Sequence, residues 1–252
     1  MLDPIFWGLI QGLTEFLPVS SSGHLVLIPA LLDRPGPDLA TSAMLHLGTL
    51  AAVVTYYRSD IARMARFDRP ARRLITLILI GTVPAVILGL LFEDQVEELV
   101  AEPRKVALML IVTGVILLAT TQLRLGDKRT EDIGPLDSLL VGLAQALALI
   151  PGISRSGMTI SAGLARGLKR NEAARFAFLL GILVIAGAGL LEVVDVLAAG
   201  DSIPATVWVG VAVAGLSGYA AIAVLLRLLT RIGLAPFGIY CIALGSFAAV
   251  VL

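Results

Sequence analysis

Cysteine is almost absent from this chain. The single thiol, Cys241, lies in an apolar stretch, so neither an internal disulfide nor a cysteine metal cluster can form. Histidine is nearly as scarce, with only His24 and His46. Charged residues make up 15% of the chain, against about 25% in an ordinary soluble domain. Their sum is zero, so bulk charge gives no reason to expect a nucleic-acid partner. No Lys or Arg precedes Arg34. The basic start of a signal peptide is therefore missing, and residues 1–30 are expected to belong to the mature fold.

What the chain has instead is apolar length. Hydrophobic residues reach 58%, and mean hydropathy is +0.94. The runs at 105–122, 177–199 and 205–226 approach or exceed the roughly 20 residues needed to cross a bilayer core. The expected fold is an all-α polytopic membrane protein forming one integral domain over 1–252. Six spans are expected, at about 39–57, 73–92, 105–123, 175–198, 206–229 and 235–252. Two further apolar stretches, 4–17 and 136–150, are too short to span. Each runs into Pro, Gly and Ser and then into a second short apolar piece, 24–32 or 157–168. Helix, polar break, helix reads as a re-entrant hairpin, which is tolerated at membrane depth only where protein or a water-filled cavity covers it.

Loop charge sets the orientation. Arg58, Arg63, Arg66, Arg69, Arg72 and Arg73 crowd one loop, and Arg124, Lys128 and Arg129 another. Arg166, Lys169, Arg170 and Arg175 follow, then Arg227 and Arg231. The alternate segments are acidic or bare: Glu93, Asp94, Glu97, Glu98 and Glu102 in one, Asp201 in the other. The positive-inside rule puts the basic set in the cytoplasm and both termini outside. The two hairpins must then enter from opposite faces, giving two halves of opposite topology, about 1–123 and 136–252. Residues 8–25 align without a gap to 142–159 at an offset of 134, with Gly8, Leu9, Gln11, Leu13, Ser20, Ser22 and Gly23 matched. A second match at offset 100 pairs 79–91 with 179–191. Inverted repeats of this kind place their broken helices, and the site between them, near the midplane.

Polar chemistry collects in the two hairpin tips. The first holds Gln11, Glu15, Pro18, Ser20, Ser21, Ser22, Gly23 and His24. Gln11 and Glu15 are four apart and share a helix face. A carboxylate within a membrane is costly without a partner, which makes Glu15 a functional candidate. The second tip, Pro151 through Thr159, contains Arg155, the one arginine placed at depth. Serine hydroxyls and a helix N-terminus around a guanidinium form an oxyanion site. Plainer readings exist. Ser20, Ser22, Ser154 and Ser156 could be helix caps. Glu15 and Arg155 could be a structural ion pair, and His24 could be a packed histidine. His46 reads as a helix-packing residue, and Glu192 and Asp195 as interfacial.

At these tips the sequence resembles the undecaprenyl-pyrophosphate phosphatase family, the bacitracin-resistance type of bacterial membranes. The resemblance rests on Gln11 through Glu15, on Pro18 through His24, and on Pro151 through Thr159, and it extends to Leu45 through Thr49 and Glu172 through Phe176. It implies hydrolysis of the C55 isoprenyl pyrophosphate lipid to monophosphate and phosphate, recycling the carrier for cell-wall synthesis. It also implies an inner-membrane site open to the outer, periplasmic face, and a divalent cation, Mg²⁺ or Ca²⁺. The site residues carried over are Gln11, Glu15, Ser20, Ser21, His24, Ser154, Arg155, Ser156 and Thr159. Two positions depart from the family. Ser42 stands where a carboxylate is common four residues before the His/Gln-Leu-Gly stretch, and Leu183 replaces a familiar proline.

On this reading Arg155, Ser20, Ser154, Ser156 and Thr159 hold phosphate, and Glu15 with Gln11 holds the cation. His24 is the general base for Ser21 or for water, which requires His24 and Arg155 to share one cavity. The rival is a transporter or flippase of a polyprenyl phosphate, since many transporters are inverted repeats with broken helices. Oligomeric state is not legible; a homodimer is one option.

Overall fold

The computed structural model describes residues 2–124, 126–198 and 204–252. Asp201, and the side chains of Glu93, Asp94, Glu97 and Asp195, lie outside the described set. Among the described residues twelve helices and one short 3-10 turn follow in order: α1 Leu2–Phe16, α2 Ser21–Leu32, α3 Leu39–Tyr56, α4 Arg58–Met64, α5 Arg69–Leu91, α6 Glu93–Val100, α7 Pro103–Thr120, the turn Thr130–Asp132, α8 Pro135–Leu147, α9 Arg155–Ala165, α10 Arg170–Ala198, α11 Val207–Arg231 and α12 Ala235–Val251. No strand occurs among the described residues.

Local chemistry sets most helix starts. Asp38 caps α3 by accepting from the Thr41 N–H at 2.7 Å, and Asp68 caps α5 by accepting from Ala71 at 2.9 Å. Prolines open α5, α7, α8 and α12, where a missing N–H costs nothing. The helices starting at Ser21 and Arg155 are capped by Ser20 and Ser154, as the next section describes.

Among the described residues five helices are long and apolar enough to cross a membrane: α3, α5, α7, α11 and the Arg170–Val194 part of α10. The expected sixth span, α12, has 17 residues, about 25 Å of helix against a roughly 30 Å core. It starts at Ala235, as expected, just after the turn at Gly233, which has φ +73°. The outer faces of the long helices are apolar: Leu79, Leu90, Leu216 and Val250 are all exposed. A soluble protein does not expose apolar surface along several helices at once, whereas lipid covers it. The chain is a multi-pass helical membrane protein.

Packing is close, with α1 and α3 parallel to α11 and α8 parallel to α5, while α7 runs antiparallel to α12 and α3 to α10. α1 lies against α11 and α3, α8 against α5, α3 against α10 and α11, and α7 against α12. Glycines set the spacing. A Cβ at Gly8 would strike the Gly210 carbonyl, and one at Gly142 would strike that of Gly81. A Cβ at Gly114 would lie 2.6 Å from the Gly238 carbonyl oxygen. Without a hydrophobic drive between helices in lipid, such close backbone contact is the main source of association. Phe16, Phe176, Phe178, Leu110 and Leu117 fill the interior, with Phe16 and Phe178 edge to face at 5.6 Å.

One end of the bundle is held by charge. Arg175 at the start of α10 bonds Asp60 of α4, and Glu172 accepts from the Thr130 N–H at 3.0 Å. Arg166 donates to Asp137 at 2.6 Å. A hollow of about 560 Å³ opens here among Arg63, Arg66, Arg69, Arg73 and Arg175. It lies at the far end of α3 and α10 from the hairpin tips.

Candidate active site

The hairpin tips are the two polar breaks, residues 17–20 and 148–154, and each is built the same way. Ser20 accepts from the Gly23 N–H at 3.2 Å and sits 3.3 Å from the Ser22 hydroxyl. Ser154 accepts from the Gly157 N–H at 3.1 Å and sits 3.2 Å from the Ser156 hydroxyl. Ser20 holds φ 67°, a strained value for a residue with a Cβ. Gly152 turns the second tip at φ +93°, where a side chain would also strike the Val106 carbonyl.

The tips touch. Ser156 donates across to the Leu17 carbonyl at 3.1 Å, and the Ser20 hydroxyl reaches the Ile153 carbonyl at 3.5 Å. Each is also pinned by a long helix. The Thr113 hydroxyl of α7 donates to the Gly152 carbonyl at 2.9 Å and accepts from the Ser154 N–H at 3.1 Å. The Cys241 thiol of α12 donates to the Pro18 carbonyl at 3.7 Å.

Charge meets at this junction. Arg155 Nη2 donates to Glu15 Oε1 at 2.9 Å. Ser21 donates to Glu15 Oε2 at 2.6 Å, and the Gln11 amide nitrogen donates to the same oxygen at 3.0 Å. Arg155 Nη1 is buried with no acceptor. It lies over Gly181 of α10, where any Cβ would fall on the guanidinium. The room that Gly181 leaves is what lets the arginine reach the junction.

A cavity of about 280 Å³ opens from this point. Glu15, Ser20, Ser21, Ser22, Ser154 and Arg155 line it, together with Gln145, His46 and Glu192. Its apolar wall is Ala148, Leu149, Ile153, Val184, Ile185 and Ala188. The expected pairing of a carboxylate and serine from the first tip with the arginine of the second is therefore present.

Four expected residues stand elsewhere. His24 does not line the cavity. Its Nδ1 lies 2.8 Å from the Ser20 carbonyl and its Nε2 lies 2.7 Å from the Tyr240 hydroxyl, with the two rings stacked at 5.7 Å. A carbonyl only accepts, so Nδ1 carries the hydrogen and Nε2 takes the tyrosine proton. Both nitrogens are in use, and the ring fastens α2 to α12. Thr159 donates back to the Arg155 carbonyl at 2.8 Å inside its own helix and is fully buried. Ser156 is spent on the Leu17 carbonyl. Gln11 turns its nitrogen, not its oxygen, toward Glu15 and so orients the carboxylate.

The same contacts bear on the divalent cation. Both Glu15 oxygens already face N–H or O–H donors, and among the described residues no three metal-ligating side chains converge. The residues as arranged do not fit a resident metal.

Three cavity residues escaped the sequence reading. His46 Nδ1 lies 3.0 Å from the Ser42 carbonyl and 3.3 Å from Glu192 Oε2, which pairs α3 with α10 on the cavity wall. Gln145 is buried, and neither its amide nitrogen nor its oxygen has a partner. The repeat offered a signal for it: Gln145 is the counterpart of Gln11 at offset 134.

Comparison with known proteins gives the chain its family. Residues 4–247 match the family model of the bacitracin resistance protein BacA. A protein of Halothermothrix orenii is 43% identical over 245 residues, covering 96% of this chain and 94% of its own length. One from Rubrobacter xylanophilus is 41% identical, covering 100% and 98%, and one from Thermomicrobium roseum is 42% identical, covering 94% and 93%. All three are named undecaprenyl-diphosphatase. With nearly its whole length matched at this level, the chain belongs to the BacA family of bacitracin resistance proteins.

Proposed function

We propose that this chain hydrolyses undecaprenyl diphosphate to the monophosphate and inorganic phosphate, in the cavity where its two hairpin tips meet. The observation that carries the reading is the junction itself: a membrane-buried carboxylate bonded at once to a serine hydroxyl and to an arginine from the other half of the chain.

Phosphoryl transfer asks a protein for positioning and charge neutralisation. Arg155 supplies the charge, and its unpaired Nη1 is a donor in search of an oxygen. The N–H groups at the start of α9 add the positive end of a helix. Gln145 supplies an amide nitrogen that nothing in the protein satisfies. Ser21 is the nucleophile: its hydrogen already points at Glu15, leaving its lone pairs for phosphorus. The apolar wall of the cavity suits the first part of the prenyl chain. A divalent cation belongs to the substrate in this scheme. Mg²⁺ is commonly held by phosphate oxygens and waters, so it would travel with the diphosphate.

The topology fits two inverted halves with re-entrant hairpins. Exchange α1 with α8, α3 with α10, α5 with α11 and α7 with α12, and the main contacts map onto one another. α1 on α11 becomes α8 on α5, down to the Gly8–Gly210 and Gly142–Gly81 pairs. This pairs α5 with α11 rather than with α10, so the match at offset 100 is chance likeness between apolar helices. The cavity climbs α10 from Val184 to Glu192, away from the arginine-rich end. With that end in the cytoplasm, the site opens to the outer face of the inner membrane.

The transporter reading needs the same anion site but gains nothing from Glu15 on Ser21, and the relatives carry phosphatase names. Detergent-solubilised protein separates the two. Phosphate release equal to the monophosphate formed is expected, and a pure transporter would release none.

A further inference from the structure

We infer that the arginine-lined hollow at the charged end of the bundle holds the headgroup of an anionic phospholipid from the adjoining leaflet. The inference stands apart from the phosphatase reading. The hollow has about 560 Å³, twice the volume of the cavity of about 280 Å³ at the tips. It lies where α5 enters the membrane, between α4, the start of α5 and Arg175 of α10.

Charge in the hollow does not balance. Five arginines line it against three carboxylates, Asp60, Asp68 and Glu131, which leaves two positive charges in excess. The carboxylates are also occupied. Asp60 accepts from Arg63 at 2.6 Å and from Arg175, Asp68 caps α5 on the Ala71 N–H, and Glu131 lies 3.6 Å from Arg175. Arg73 donates to the Glu131 and Ile133 carbonyls at 2.5 and 2.6 Å, and these bring no charge to offset its own. Arg66 and Arg69 are exposed, and among the described residues no acceptor meets either guanidinium.

Below this rim the wall is apolar. Met64, Pro70, Leu74 and Leu77 form it, and Leu77 lies about 12 Å along α5 from Arg69. A basic rim over an apolar wall matches a phosphate headgroup with the start of an acyl chain beneath it. Basic pockets between membrane helices take anionic headgroups in this way, and arginine meets phosphate oxygens in a forked geometry. A zwitterionic headgroup would bring a cation that no free carboxylate meets. A soluble phosphate would satisfy the arginines but leave the apolar wall to water. The bound lipid ties the link between α4 and α5 to the start of α10.

The test is native mass spectrometry of the full chain in detergent, with dioleoylphosphatidylglycerol and dioleoylphosphatidylcholine supplied in equal amount. The phosphatidylglycerol is expected to be retained at least about tenfold over the phosphatidylcholine, and to raise the melting temperature. Arg66→Gln and Arg69→Gln should each cut that preference about fivefold, and the double variant should retain both lipids alike. Without lipid these variants should melt near wild type, because both side chains are exposed. Should the double variant not fold, the single variants carry the test. Arg227→Gln with Arg231→Gln removes two charges from the same end outside the hollow, and should keep the preference. Glycerol 3-phosphate should neither raise the melting temperature nor displace the lipid. A wild-type chain without the preference overturns the assignment, as does a preference that survives loss of Arg66 and Arg69. Equal loss in the Arg227 and Arg231 variant would mean diffuse charge attraction, and displacement by glycerol 3-phosphate would mean a soluble-anion site; either result also overturns it.

Discussion

Arg155 reaches Glu15 only because residue 181 has no side chain. Gly181→Ala puts a methyl on the guanidinium, so the arginine must leave or the helices must part. Phosphate release is expected to fall at least 100-fold while the protein still purifies as a folded monodisperse species; near-normal release would mean the guanidinium has another place to go. Gln145 predicts effects of opposite sign on stability and binding. Its amide is buried without partners, so Gln145→Leu should leave the melting temperature in detergent unchanged or raise it. A hydrogen bond to a charged group is worth about 1.5–3 kcal/mol, so the same change should raise KM at least about tenfold. Glu15, Ser21 and Arg155 were legible in the sequence because charge and hydroxyls at membrane depth demand a purpose. Gln145, His46 and Glu192 were not. Each is a single polar residue on an apolar helix, and only packing between distant segments brings them to one wall. For His24 the converse holds: the motif places its Cα near the site but does not say that its ring turns to Tyr240.

The helices that meet at the tips are also what hold them. His24 and Tyr240 join α2 to α12 through one hydrogen bond and one ring stack. Tyr240→Phe keeps the stack and strips the bond, leaving the buried His24 Nε2 unsatisfied. About 1–3 kcal/mol of stability should go with it, read as a lower melting temperature, while kcat stays near wild type. A collapse of kcat at unchanged stability would return His24 to the chemistry. Most elements could be read from hydropathy, because lipid-facing spans must be apolar and long. The hairpins could be read from their Pro, Gly and Ser breaks. The short helices α4 and α6 could not, since they lie in charged segments with little apolar surface. α12 falls where its apolar run, 235–252, was expected and is merely shorter than the other spans.

Across the whole molecule, the proposed inverted halves and the basic end give one orientation to test. Cysteine at Leu252 should react from the outside with a membrane-impermeant thiol reagent, and cysteine at exposed Phe67 should react only after the membrane is opened. The native Cys241 is buried and should stay silent. The reverse labelling would invert the topology and close the site to the outer face. The proposed duplication is most legible in the tips because the same cap and turn chemistry recurs there. It was blurred along the spans, where one apolar residue serves as well as another and only the glycine contacts keep the register.

The junction of the tips is the claim on which the rest stands, and phosphate release tests it directly. Purified wild-type protein should release phosphate from undecaprenyl diphosphate, and Arg155→Ala and Glu15→Ala should each lose about 100- to 1000-fold of that rate, the scale attached to removing one charge-stabilising group. Substantial activity surviving in both variants would contradict the account, because the guanidinium and carboxylate that meet at 2.9 Å would then be only a structural pair.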